Sequence, residues 1–271
     1  ARAVAEGDLK RVDHGLYVSG NTWSAIYAQG RHLLRVVAAD ERRSGGEGVA
    51  SHVSAAVLHR LPLLRVEPQR VHVSGIHTAG LVSARTVARH QVVVRDEDVV
   101  VIGGIPATSL ARTVADVIRV ESVATGLAIA DAAMRQVAWD ASTHTYDADV
   151  AEVFRAEVAR HLPAGGRGVR RARRVIELDD GQVENPGESL SRLYLLELGF
   201  APPRLQVKVP APNGGYFFVD FGLDDVEAFG EFDGVAKYTD PTYLAGRSPE
   251  EVLLAEKQRE DWIRGTMHRR Y

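Results

Sequence analysis

The stretch from Tyr216 to Tyr238, YFFVDFGLDDVEAFGEFDGVAKY, carries acids where a pair of strands would ordinarily carry valine or isoleucine, and the rest of the chain has to accommodate it. Apolar residues alternate through Phe217, Val219 and Phe221, the corner Leu223-Asp224-Asp225-Val226 turns the chain, and a second run through Ala228, Gly230 and Phe232 ends at Asp233-Gly234. Alternation of period two bounded by turn residues reads as a β-hairpin. Side chains repeat every two residues along a strand, so Glu231 and Asp233 are expected on one face, with Asp220 in reach of it from the neighbouring strand. Like charges held that close repel and raise one another's pKa unless a cation lies between them. A hard divalent metal is the simplest neutraliser.

Val219-Asp220-Phe221, then Glu231-Phe232-Asp233-Gly234 eleven residues after the first acid, with Lys237 a turn later, resembles the metal-dependent PD-(D/E)XK nuclease superfamily. It is most similar to the branch of the very-short-patch-repair endonucleases. Two flanking pieces agree: a helix opening Asn185-Pro186-Gly187-Glu188-Ser189 and a later helix carrying Glu256-Lys257-Gln258-Arg259-Glu260-Asp261. The resemblance covers roughly residues 184 to 271 and implies a restriction-endonuclease-like αβββα domain. It also implies catalytic roles for Glu188, Asp220, Glu231 and Lys237, with Asp220, Glu231 and Asp233 as ligands of Mg²⁺ (or Mn²⁺). The ion would polarise a phosphate oxygen and lower the pKa of a bound water. The familiar family pattern has Lys two residues after the Glu, where this chain has Asp233, so Lys237 has to supply the ammonium. Glu188 has a structural reading as well, because Asn185 as N-cap and Glu188 three residues on form a capping box with Pro186 at the first helical position.

With 271 residues, 45% of them hydrophobic, the chain is long enough for two domains and an ordinary packed core. It has no Cys, so a disulfide framework and thiolate metal sites are excluded and any ion must be held by oxygen or imidazole. No stretch approaches the ~18 apolar residues of a membrane helix, and the expected setting is the cytoplasm. A formal charge of −3 means that contact with nucleic acid must come from local basic patches. The densest patch is Arg167, Arg170, Arg171, Arg173 and Arg174, and spacings of three and four align Arg167, Arg170, Arg171 and Arg174 on one helical stripe. Each can neutralise a phosphate or simply face solvent.

The opening GDLKRVDHGLYVSGN reads as a short hairpin and resembles the wing of a winged-helix domain in type IV abortive-infection antitoxins (AbiEi-like proteins), with Lys10 and Arg11 as candidate phosphate contacts. Two further patterns resemble the same family: Ser51-His52-Val53-Ser54-Ala55-Ala56, and Arg112-Thr113-Val114-Ala115-Asp116, whose i, i+4 pair is expected to tie helix to sheet. His52 and His59 lie two helical turns apart, too far for one ion, so packing or capping is their expected role. One helix is expected over 23–43, and strands over 70–74, 91–95, 99–102 and 204–209. Ala1 in place of Met leads us to expect a longer gene product.

The fold class expected is α+β or α/β in three parts: 1–22 a winged-helix remnant, 23–183 a mixed α/β middle domain, and 184–271 the nuclease-like domain. Two functions follow from the resemblances. One is a metal-dependent nuclease acting on DNA. The other is a DNA-binding regulator of the AbiEi antitoxin kind whose nuclease-like domain is inactive. A third reading, an interaction module that binds a partner toxin, needs neither metal nor DNA. Specific double-strand cutting would add a homodimer, and no membrane partner is expected.

Overall fold

The computed structural model describes residues 8–13, 15–42, 48–75, 85–233, 248–267 and 270. Lys237 and Gly234 lie outside the described residues, as do Ala1 to Glu6 of the expected winged-helix remnant. The fold is mixed α/β, and the chain divides into two compact units, Ala1–Gly181 and Gln182–Tyr271. Among the described residues no helix is long and apolar enough to cross a membrane.

The N-terminal unit starts with an antiparallel hairpin, β1 (Leu9–Asp13) and β2 (Leu16–Ser19), turned by Gly15 at φ +80. Two helices follow, α1 (Gly20–Ala25) and α2 (Ala28–Glu41), where the apolar spacing suggested one. Ile26 and Tyr27 are extended, and the Ser19 hydroxyl caps α1 by accepting the Thr22 N–H. Arg42 pairs with Asp13 and joins the end of α2 to the hairpin.

The centre of this unit is a five-stranded mixed sheet in the order β5-β4-β3-β7-β6. Its strands are β3 (Val49–Ala50), β4 (Val71–Gly75), β5 (Val87–Gln91), β6 (Val99–Ile102) and β7 (Ile105–Thr108), and α3 (His52–Leu58) leaves β3 directly. The strand expected over 91–95 lies four residues earlier. Val87 to Gln91 pair in parallel with β4 and bury Ala88, while Val93 remains 66% exposed beyond the ladder. An apolar run looks like a strand, but the partner's hydrogen bonds decide where pairing stops.

Helices α4 (Leu110–Val120) and α5 (Val123–Ala138) supply much of the buried surface, with Val114, Val117, Ile118, Leu127, Ile129 and Met134 nearly inaccessible. Serine N-caps open both, Ser109 accepting from Arg112 N–H and Ser122 from Thr125 N–H. A short ribbon, β8 (Trp139–Asp140) and β9 (Thr145–Tyr146), leads to α6 (Ala148–Arg160) and α7 (Val169–Leu178).

Gly168, left-handed at φ +80, is the N-cap of α7, and a Cβ there would lie 2.0 Å from the Arg119 carbonyl oxygen. The lack of a side chain is what lets α7 start against the end of α4. Gly168→Ala is expected to destabilise the unit by about 3 kcal/mol, combining left-handed strain with overpacking. Urea unfolding followed by Trp139 fluorescence would measure it, and an unchanged midpoint would contradict the contact.

The C-terminal unit runs α8 (Pro186–Glu197), β10 (Arg204–Pro210), β11 (Tyr216–Leu223), β12 (Ala228–Gly230) and α9 (Pro249–Met267). The three strands form one antiparallel sheet in sequence order, and Arg270 bridges in parallel to Ala228. Val207, Val209, Val219 and Phe229 pack with Ile263 of α9 as its core. The capping box expected at Asn185 forms in part, its return bond coming from the Asn185 side-chain amide and not the backbone N–H, and a complete box opens α9. Asn185 accepts from Gly187 and Glu188 N–H while Glu188 accepts from Asn185, and Ser248 exchanges hydrogen bonds with Glu251.

Candidate functional site

In the C-terminal unit, strand alternation would gather Asp220, Glu231 and Asp233 on one face. The ladder instead stops at the pair Phe221 and Gly230, so Glu231 and Asp233 lie beyond it and are released from the period of two. Asp220 Oδ2 accepts the Phe232 backbone N–H at 2.8 Å. Glu231 turns to α9, where the Arg259 guanidinium donates to both of its oxygens, one contact measuring 2.7 Å. The same guanidinium donates to the Phe218 carbonyl at 2.6 Å and lies 5.6 Å from the Phe217 ring centre. Asp233 is exposed.

Glu188 is buried in the first turn of α8, where it accepts from the Glu184 N–H at 2.8 Å and from the Asn185 amide. Gly187 lets that turn approach Phe232: a Cβ would lie 2.1 Å from the ring. Glu188 and the Glu231-Phe232-Asp233 segment are therefore neighbours. Even so, no three of these four acids bring ligand oxygens within 4.8 Å of one another. A cleft of about 450 Å³ opens beside Glu231, and among the described residues its lining carries more carboxylates, Glu231, Asp233 and Asp261 among them, than cations. As placed, the acids do not fit a hard dication: Glu231 already has a guanidinium on both oxygens, and Glu188 serves the helix cap.

The chain is 28% identical over 247 residues to uncharacterized proteins from two strains of Mycobacterium tuberculosis, CDC 1551 and H37Rv, an alignment covering 89% of this chain and 79% of each relative. No family model matches the chain, and no solved structure matches it.

In the N-terminal unit the expected arginine stripe is divided. Arg167 precedes α7, Arg170 and Arg174 are exposed, and Arg171 is half-buried, donating to the Arg119 carbonyl at 2.5 Å. The result is a pocket of about 670 Å³ lined, among the described residues, by Arg119, Arg167, Arg170 and Arg171 with Val120, Gly166 and Gly168; the half-buried Glu121, outside this lining, is near enough to Arg171 to feel its charge. The Nε atoms of Arg119 and Arg171 are buried without a hydrogen-bond partner among the described residues. Buried donors left unsatisfied are costly, and an anion is the species that satisfies guanidinium groups best. Arg119 was not anticipated, since it comes from α4 nearly fifty residues earlier in the chain. Lys10 and Arg11 are exposed on β1, away in sequence from this pocket, with Arg11 donating to the Asp13 carbonyl at 3.2 Å.

Arg112 and Asp116 pair as their spacing suggested, Nε donating to both carboxylate oxygens at 3.2 Å. Asp98 lies 3.8 Å from the same guanidinium, and His161 lies 3.5 Å from Asp98. Burial raises the Asp116 pKa, and Arg112 opposes the shift. This is a tie between α4, the turn before β6 and the end of α6.

Histidines of the same unit form a second cluster. His59 donates to, or is oriented by, the Thr108 carbonyl at 2.8 Å, a packing role. His52 meets two histidines distant in sequence. His72 Nδ1 lies 3.0 Å from His90 Nε2, and the His52 and His90 rings stack with centroids 3.9 Å apart. Among the described residues, His52, His72 and His90 form a group whose ligand atoms all fall within 4.8 Å, so the cluster could hold a metal ion. Burial first, then the neighbouring imidazoles, lowers the pKa of His52 to about 2, and burial with His90 lowers that of His72 to about 4. Both are neutral near pH 7, the protonation state of a metal ligand. Sequence spacing gave no sign of it.

Proposed function

We propose that this chain is a nucleic-acid-binding protein, with DNA as its ligand, that grips backbone phosphate through the N-terminal unit and does not cut it. In this reading it is a regulator of the AbiEi antitoxin kind, and the nuclease-like unit is a scaffold whose Glu231 is neutralised from within. A toxin partner belongs to the same resemblance. The observation that carries the reading is the arginine pocket at the start of α7, where four guanidinium groups line one cavity and no carboxylate is among its described lining. Arg173 and Arg174, both exposed, continue the positive surface along α7, as a polymer of phosphates requires better than a single anion does.

The Arg259 pair favours the reading without hydrolysis. A guanidinium on both oxygens of Glu231 does the neutralising that the sequence assigned to Mg²⁺, and among the described residues the cleft beside it has an excess of carboxylates, which disfavours phosphate. A metal-dependent nuclease is the second reading. It is favoured by the element order αβββα with Arg270 bridging in parallel to Ala228, which agrees with a restriction-endonuclease-like domain, and by the proximity of Asp220 to Phe232. No hydrolytic step is derived from the acids as they stand.

Fluorescence polarisation with a labelled duplex, at several salt concentrations, tests the binding. Replacing Arg167 and Arg170 by Gln is expected to weaken it and to reduce the slope of log affinity against log salt by about 2, close to one per phosphate contact. An unchanged slope removes the pocket from the interface. In parallel, the wild type is expected to give no heat with Mg²⁺ or Mn²⁺ at the acids and to leave single and double strands intact. Metal-dependent cleavage that Asp220→Ala abolishes would restore the nuclease.

A further inference from the structure

We infer that His52, His72 and His90 form a site for one first-row transition metal ion, zinc being the best match, in the N-terminal unit. The three side chains arrive from different elements: His52 is the first residue of α3, His72 lies on β4 and His90 on β5. The parallel register pairs His72 with Ala88 and Ser74 with His90, which sends the His72 and His90 side chains to one face of the sheet. The start of α3 brings His52 onto that face.

Three features distinguish this cluster from ordinary packing of aromatic rings. His72 Nδ1 and His90 Nε2 approach to 3.0 Å, the distance of an N–H···N hydrogen bond, and only a few tenths of an ångström short of the roughly 3.3 Å that two Zn–N bonds of ~2.0–2.1 Å span in a tetrahedron. His52 is held at φ +52, a left-handed conformation that a residue with a Cβ avoids, and this backbone turn is what lays its ring beside His90. Ser51 supports it from behind. Its hydroxyl lies 3.0 Å from His52 Nδ1 and accepts from Ser74 at 2.7 Å, so the nitrogen that His52 offers is Nε2. A ligand histidine is oriented by donating its far N–H to an acceptor, most often a carboxylate, a backbone carbonyl or water, and the Ser51 hydroxyl takes that place here. Ser51 gives up capping the helix to do this.

The donor set selects the ion. Neutral imidazoles suit Zn²⁺, Cu²⁺, Ni²⁺ or Fe²⁺, whereas Mg²⁺ requires oxygen ligands. Three protein ligands leave a tetrahedral ion one exchangeable position. Two cations bear on His52: Arg112, which is matched by Asp116 and Asp98, and Arg119, whose charge opposes a dication and works against binding.

The test uses the whole chain. Stripped wild-type protein is titrated with Co²⁺, read by its visible d–d absorption, and with Zn²⁺ against a chromophoric chelator. One equivalent with a tetrahedral Co²⁺ spectrum is expected. His90→Gln and His72→Gln are expected to abolish the spectrum, and Ser51→Ala to weaken zinc binding by about 10-fold to 100-fold. Glu231→Gln and His59→Gln are expected to bind as wild type does, which separates this site from the acids and from adventitious histidine binding. The wild-type spectrum does not depend on whether any variant folds. No Co²⁺ absorption and no zinc uptake in the wild type would overturn the site, as would full binding by His90→Gln.

Discussion

Arg259→Ala is expected to lower the stability of the C-terminal unit by roughly 2 to 3 kcal/mol, below the range for a fully buried ion pair because both groups retain some solvent contact. The side chains of Glu231 and Arg259 are 13% and 25% exposed, so removing the guanidinium leaves a carboxylate largely withdrawn from water with no counter-charge. It also frees the Phe218 carbonyl and cuts the polar link between α9 and β11. Arg259→Lys keeps the charge without the two-pronged geometry and is expected to recover only part of the loss. Arg259→Ala combined with Glu231→Gln is expected to be more stable than Arg259→Ala alone, since the orphaned charge is gone. Guanidinium chloride unfolding followed by Trp262 measures all three, because this indole donates to the Pro210 carbonyl at 2.8 Å and reports the packing of α9 on β10. The same variant discriminates the functional readings. If Arg259 stands where a cation would otherwise be needed, Arg259→Ala should gain Mg²⁺ heat that the wild type lacks. An unaltered midpoint would mean that the pair is not a cross-link and that the internal-neutralisation argument is void.

Acid is expected to weaken the N-terminal unit well above the pH at which carboxylates protonate. His32 and His72 are each lowered to about 4 and His52 to about 2, in every case chiefly by burial. Their unfolded value lies near 6.5, so the folded unit binds fewer protons than the unfolded chain. The stability tied to the neutral rings is therefore fully present above pH 6.5. It is lost as the pH falls from 6.5 toward 4, by up to about 1.4 kcal/mol per pH unit for each histidine. His52 and His72 face each other and His90, so their contributions are not additive. His32 is fully buried, its Nε2 2.9 Å from the Ser54 hydroxyl, and its shift owes something to His72 as well, so it belongs to the same coupled set. Urea midpoints between pH 7.5 and 4.5 should decline with a slope of one proton or more, and His72→Gln should reduce that slope. A flat profile would show that these rings are not held neutral.

Much of the fold was legible because the interactions that fix it are short in sequence. Asn185 and Ser248 cap their helices with acids three residues on, and Arg112 reaches Asp116 one turn away. The Asp224-Asp225 corner turns β11 into β12. Each depends on a handful of neighbouring residues, so the pattern of residue types determines the geometry. Where the expectation depended on a ladder continuing, it went astray. Period-two alternation is a property of paired strands, and pairing ends at Gly230 one residue before Glu231.

Most helices and strands, several of their caps, the local i, i+4 ties and an excess of arginine near residue 170 can be read from the order of residues alone. Only the tertiary structure decided which charges and lone pairs meet. Arg259 reaches Glu231 from a helix 28 residues later, Arg119 joins Arg171 across 52 residues, and His52, His72 and His90 converge from three separate elements. The physical reason is that periodicity fixes the face on which a side chain stands. The partner that completes a carboxylate, a guanidinium or an imidazole is selected by how whole elements pack, and that information is not local.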